Sequence, residues 1–158
     1  MDRGIEKALG SLAYGLYIVT AKFSGKRNAM VASWVSQVSH DPPRIMVAIR
    51  KNRYTHSLIS SARAFGLMVV EHGRERELSR FKGPDPEEKF TGLDVREGKS
   101  GSPLFPDFFA SFDLVVIHEI DAGDHTIFIG EIRDAIINDA GRKPSTTIDY
   151  GKGYTGSS

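Results

Sequence analysis

Cysteine is absent from all 158 residues, which excludes disulfides, cysteine-ligated zinc, iron–sulfur clusters and thiol redox chemistry. Charge of one sign is equally scarce: 21 Lys and Arg against 20 Asp and Glu leave a net +1. The two signs are interspersed, so the basic stripe of a nucleic-acid binder is missing. No apolar run reaches membrane-spanning length, and Met1-Asp2-Arg3-Gly4 opens without the apolar core of a secretory leader. The expectation is a cytoplasmic protein with no membrane or nucleic-acid partner. The five histidines (His40, His56, His72, His118, His125) show no short metal-ligand spacing, and there is no nucleophile-elbow pattern. Repeats and low-complexity tracts are also lacking, which predicts one domain over residues 1–158.

What is there is ordinary globular material, 40% hydrophobic and 26% charged. Ile5, Ala8, Leu9 and Leu12 follow helical spacing behind Asp2, a natural cap. Strands are predicted over 16–23, 29–38, 44–50, 65–70, 111–120 and 126–137, with a last one over 146–150. Short helices are expected from Thr55 as N-cap to Ala62, and from Arg74 to Phe81. The sign-alternating run Glu71 to Arg80 reads as a solvated helix face, and Lys82 to Pro106 as one long irregular segment. Gly153 to Ser158, small and polar, is expected to fray. Many strands, few helices and no βαβ rhythm predict a mainly β protein with short helices, an antiparallel barrel.

Three segments carry candidate chemistry. Asn28 to Ser39 places Ser33, Ser36, Gln37 and Ser39 near Trp34 without a charge, a mixture suited to a planar, uncharged heteroaromatic ligand. Arg50-Lys51-Asn52-Arg53-Tyr54-Thr55-His56 puts cations and a helix N-terminus where a phosphate could bind. Ala122-Gly123-Asp124-His125-Thr126 offers a histidine able to exchange hydrogen bonds near neutral pH. Taken singly, each also has a plain structural reading: a strand with wet serines, a solvated turn, a hairpin turn.

As an ordered set they resemble the flavin reductase-like family. The matching residues run from Gly15-Leu16-Tyr17-Ile18-Val19-Thr20 through Asn28-Ala29-Met30-Val31-Ala32-Ser33-Trp34, Val38-Ser39-His40-Asp41-Pro42-Pro43 and Thr55-His56. They continue with Phe81-Lys82-Gly83, Lys89-Phe90, and Ala122-Gly123-Asp124-His125-Thr126-Ile127-Phe128-Ile129-Gly130-Glu131. The resemblance implies an FMN-binding split β-barrel, Greek-key-like and antiparallel, working as a homodimer whose sites are each completed by the neighbouring chain. It implies an oxidoreductase, a flavin reductase moving electrons from NADH or NADPH through FMN to a flavin, a metal chelate or a redox protein partner. By the same resemblance Ala32, Ser33, Trp34 and Val35 lie along the isoalloxazine ring. Gln37, Val38 and Ser39 follow it, Asn52, Arg53 and Thr55 meet the phosphate, and His125 is the catalytic residue where nicotinamide docks, near Lys89 and Phe90. Two departures stand out: Val69-Val70-Glu71-His72 where many members carry Val-Asn-Val-Leu, and Trp34 ahead of Val35-Ser36-Gln37-Val38-Ser39. The latter looks more like the flavoredoxin branch, whose members can serve as FMN electron carriers without pyridine-nucleotide activity.

Overall fold

The computed structural model describes residues 1–138, 141–152, 154 and 156. Seven strands make one antiparallel sheet: β1 (Tyr17–Phe23), β2 (Lys26–Ala32), β3 (Val35–Ser39), β4 (Arg44–Arg50), β5 (Ala64–Val69), β8 (Ala110–Asp121) and β9 (His125–Ile137). A two-stranded ribbon, β6 (Arg96–Glu97) with β7 (Pro103–Leu104), lies within the long connection. Three α-helices complete the set: α1 (Arg3–Leu9), α2 (Tyr54–Ala62) and α3 (Thr147–Tyr150).

The sheet order is β2-β1-β5-β8-β9-β4-β3, so β2 and β3 are its two edges, yet only Ser33 and Trp34 separate them in the chain. Two residues span only a few ångströms. The sheet must therefore curl until its edges meet, and the fold is a split barrel with its seam at Ser33-Trp34. The expected single strand 29–38 is cut there. The Val35 amide turns back onto the Ser33 carbonyl at 3.0 Å, while Ala32 pairs with Tyr17 and Val35 with Val47. An i to i+2 turn changes the pairing partner without spoiling the period-2 pattern.

Inside the curl, Val19, Val47, Ile49, Phe65, Leu67, Leu114 and Phe128 pack with Leu58 and Ile59 of α2. Gly130 is needed here, because a methyl group on it would stand 2.8 Å from the Phe65 ring and from Leu114. A second apolar layer covers the outer face of β1 and β5. In it Ile18, Met68 and Val70 meet Phe81, Phe90, Phe105 and Phe108 from the long connection. Strands buried on both faces read as continuous apolar runs, as these do.

Several local expectations change. The short helix expected from Arg74 to Phe81 is present as a 3₁₀ helix over 75–82, and the charges around it close a network in which Arg74 reaches Glu71 and Glu77 while Arg142 also meets Glu71. The segment 82–106 is not irregular throughout, since it holds a second 3₁₀ turn, Glu87–Phe90, and the β6–β7 ribbon. Residues 146–150 are not a strand. Thr146 forms a capping box with Asp149 and starts α3, so the local Thr–x–x–Asp hydrogen bonds prevail over β propensity. The N-cap of α2 is Arg53, not Thr55, which sits in the first turn with its hydroxyl turned to Asn28. No helix among the described residues is long and apolar enough to cross a membrane.

Candidate functional site

The seam, the β4–α2 junction, the end of the first 3₁₀ helix and the C-terminal segment converge on a cavity of about 670 Å³. That is the size of a small-molecule or cofactor site. One wall is apolar and comes from β2 and β4: Met30, Val31, Ala32 and Ala48, ending at Ser33 and Trp34. The opposite chemistry is cationic. Arg50, Arg53, Lys82, Lys89 and Lys152 line the cavity, and no carboxylate does among the described residues. None of the five forms an ion pair among the described residues, whereas Arg27, Arg44, Arg63, Arg74 and Arg142 elsewhere each reach an acid. A chain of net charge +1 has thus gathered unneutralised positive charge in one place. That arrangement raises the local concentration of anions.

Lys89 shows the point most clearly. It is only 7% exposed, and its ammonium donates to Asn28 Oδ1 at 2.9 Å and to the Ala29 carbonyl at 3.0 Å, both neutral acceptors. Asn28 Nδ2 in turn donates to Thr55 Oγ1 at 3.0 Å, which ties Lys89 to the first turn of α2. Burial, and then the Arg53 charge, hold the Lys89 ammonium below the usual lysine range. A buried cation without a counter-charge is costly. Here the cost is placed beside a helix N-terminus whose cap, Arg53, makes no side-chain capping bond. Arg53, Lys89 and the α2 amides together suit a phosphate.

At the seam the Trp34 ring lies 4.6 Å from the His125 ring and 4.8 Å from that of Tyr154, centroid to centroid. His125 begins β9, is 3% exposed, and bridges two partners: Nδ1 to Asp124 Oδ1 at 2.6 Å and Nε2 to the Tyr154 hydroxyl at 2.9 Å. The hydrogen bond from His125 holds the Asp124 carboxyl below its ordinary value, while burial raises the Tyr154 phenol. The Trp34 Nε1 is buried and has no hydrogen-bond partner among the described residues. An indole N–H left without an acceptor beside a cavity is a donor available to a ligand.

Of the residues singled out from sequence, the fold brings Ala32, Ser33, Trp34, Asn52, Arg53 and Thr55 to this cavity, with His125 joined through Trp34 and Tyr154. It separates the others. Val35 and Gln37 border a groove of about 300 Å³ with Tyr17 and Ile45, and Val38 and Ser39 lie further along the edge strand β3. Lys51 and His56 also turn elsewhere, Lys51 to Asp121 at 2.6 Å and His56 to Thr126 at 2.7 Å. Tyr150, Lys152 and Tyr154 are site residues that sequence reasoning missed. Gly153, Thr155, Ser157 and Ser158 of the expected frayed tail lie outside the described residues, but Tyr154 and Gly156 pack on Trp34. Two tyrosines and a lysine among glycines were the signal available.

The model of the flavin reductase like domain matches residues 9–158. Over 137 residues the chain is 38% identical to high molecular weight rubredoxin of Moorella thermoacetica, covering 83% of this chain and 59% of that protein. It is 35% identical to the ferric-chelate reductase (NAD(P)H) of Archaeoglobus fulgidus, covering 91% and 87%. Among solved structures, the NADH:FAD oxidoreductase of Streptomyces globisporus is 26% identical with a TM-score of 0.81, covering 90% and 85%. The chain spans between 24% and 59% of several longer curated relatives.

Proposed function

This chain belongs to the flavin reductase like domain family, and from that premise we propose that it is an FMN-binding oxidoreductase. It takes electrons from NADH or NADPH and delivers them to a flavin, a metal chelate or a protein acceptor. The observation that carries this reading is the cavity itself, apolar along β2 and cationic at α2, with a buried lysine that lacks a counter-charge. A flavin mononucleotide has that polarity, a flat ring at one end and a phosphate at the other.

The residues fit the group. Arg53, Lys89 and the first turn of α2 hold the phosphate, with Asn52 and Thr55 beside them. Ala32, Ser33 and Trp34 supply the wall and the polar edge for the ring, and the Trp34 N–H has no acceptor among the described residues. When bound, the flavin supplies the two-electron chemistry; the protein orients the partners and tunes the potential. Asp124 fixes the His125 ring through Nδ1, so that Nε2 and the Tyr154 hydroxyl hold the edge of the site in one arrangement. We assign His125 to positioning the nicotinamide or the flavin edge.

The same reading makes the protein a homodimer. Ile5, Leu9 and Leu12 are exposed and α1 buries none of its residues. A helix of 7 residues is not stable alone in water, so a second copy is the natural cover for its apolar side. Val38 is likewise exposed on edge strand β3, at 48%, where a partner can reach it. Light scattering after size exclusion is expected to give twice the chain mass, and a monomeric mass at micromolar concentration contradicts it.

The oxidoreductase reading is tested by anaerobic titration of FMN-loaded protein with NADH and NADPH, following flavin absorbance. Rapid bleaching at low nucleotide excess is expected. Bleaching by dithionite alone would leave an FMN electron carrier of the flavoredoxin kind.

A further inference from the structure

The stretch Val69-Val70-Glu71-His72 departs from the family pattern, and the flavin reading uses none of its side chains. Its last residue stands in a mixed donor set. His72 Nδ1 lies 3.5 Å from Glu75 Oε1 and 3.7 Å from Asp149 Oδ1, and the ligand atoms of the three fall within 4.8 Å of one another. Two ligands of one tetrahedral zinc stand about 3.4 Å apart, given bonds of about 2.1 Å to the ion. No other three His, Asp or Glu side chains converge in this way among the described residues. Neither carboxylate has a Lys or Arg partner among those residues, unlike Glu71, Glu77, Glu87 and Glu131. Two carboxylates held together without a cation repel each other.

Hydrogen bonds also aim the ligand atoms. Asp149 Oδ2 accepts from the Thr146 amide and hydroxyl at 3.0 and 3.1 Å, which leaves Oδ1 toward His72. Glu75 Oε2 accepts from the Gly73 amide at 2.9 Å, and Oε1 from the Ser145 hydroxyl at 2.6 Å. Bonds of this kind orient ligating carboxylates. The His72 amide donates to the Lys143 carbonyl at 2.8 Å, which fixes its backbone. Its side chain is 47% exposed, so an ion and its remaining water ligands have access.

We propose that His72, Glu75 and Asp149 form a binding site for one divalent transition cation of the zinc type. An imidazole with two carboxylates suits such an ion, whereas Mg²⁺ and Ca²⁺ take oxygen ligands. The site is apart from the cavity, which none of the three residues lines. They come from the chain after β5, the start of the first 3₁₀ helix and α3. The ion therefore ties α3, a helix of 4 residues with little stability of its own, to the body of the barrel.

The test uses the full chain, freed of metal by chelation, and the variants His72→Gln and Asp149→Asn. Zn²⁺ is titrated in competition with a chromophoric chelator, and Co²⁺ is followed by its visible absorbance. The wild-type protein is expected to bind one Zn²⁺ per chain and to gain Tm on doing so. Each variant is expected to weaken Zn²⁺ about tenfold or more and to lose the gain in Tm. The Co²⁺ bands vanish or shift in His72→Gln, a change that a merely structural role of the imidazole would not produce. His72 is half exposed, and Asn at 149 keeps an oxygen for the Thr146 bonds, so both variants retain the wild-type circular dichroism. Should Asp149→Asn fail to fold, His72→Gln decides alone. A wild-type protein that binds no Zn²⁺ overturns the proposal. So does binding that survives either substitution unweakened, which puts the ion at other side chains. Equal competition by Ca²⁺ overturns it as well, because a hard cation does not use the imidazole.

Discussion

Arg53→Ala is expected to weaken FMN binding about a hundredfold while leaving riboflavin binding nearly unchanged. A charge-assisted contact to a phosphate is among the stronger polar interactions. Arg53 has no acid of its own among the described residues, so its contact with the ligand is not offset by a lost internal ion pair. The substitution also removes the charge that acts on Lys89, the most buried cation of the cavity. Riboflavin lacks the phosphate and so reports whether the wall at Ala32, Ser33 and Trp34 has stayed intact. Lys89→Gln is expected to act in the same direction, and its pH behaviour separates charge from packing. Burial and Arg53 hold the Lys89 ammonium below the usual lysine value, which is about 10.4. An anion binds the protonated form. FMN affinity therefore declines as pH rises through that lowered value, ahead of the ordinary lysine range. The Lys89→Gln protein lacks this alkaline limb. Equal weakening of FMN and riboflavin by Arg53→Ala would place the phosphate elsewhere.

His125→Ala is expected to slow reduction of the bound flavin by NADH or NADPH about a hundredfold, with FMN affinity changed only a few-fold. The ring is 3% exposed, packs on Trp34 and holds Tyr154 in place. Its removal frees the seam edge to move, and small misplacements at a reacting centre carry large rate penalties. Tyr154→Phe should fall between, because it keeps the ring against Trp34 and loses only the bond to Nε2. Stopped-flow absorbance under anaerobic conditions reads both variants, and kcat should fall more than KM rises. Full turnover with tight FMN in His125→Ala would remove His125 from the site's working parts.

The strands were legible wherever one rule acted alone. Arg44 to Arg50 forms strand β4 as expected and pairs throughout with β9, although its burial alternates where the apolar run reads as buried on both faces. The cationic segment before α2 was legible as charge at a helix start. The seam was not, because Ala29 to Val38 keeps a strand-like composition across a reversal made by two backbone groups, Val35 N–H and Ser33 C=O. Nor could spacing reveal that Lys89 reaches back 61 positions to Asn28. The C-terminal wall was hidden for a similar reason: Tyr150 and Tyr154 acquire partners only through tertiary contacts with Lys82, Trp34 and His125. Local sequence signals report local bonds, and this site is built at the meeting of distant segments.

On the proposed reading, the cavity between the seam and α2 binds a flavin by its ring and its phosphate together. Parallel equilibrium titrations of the wild-type protein with FMN and riboflavin test it most directly. Both are expected to bind, with FMN about a hundredfold tighter and its advantage shrinking as salt is added. Equal affinity for the two, or no binding of either, would contradict it.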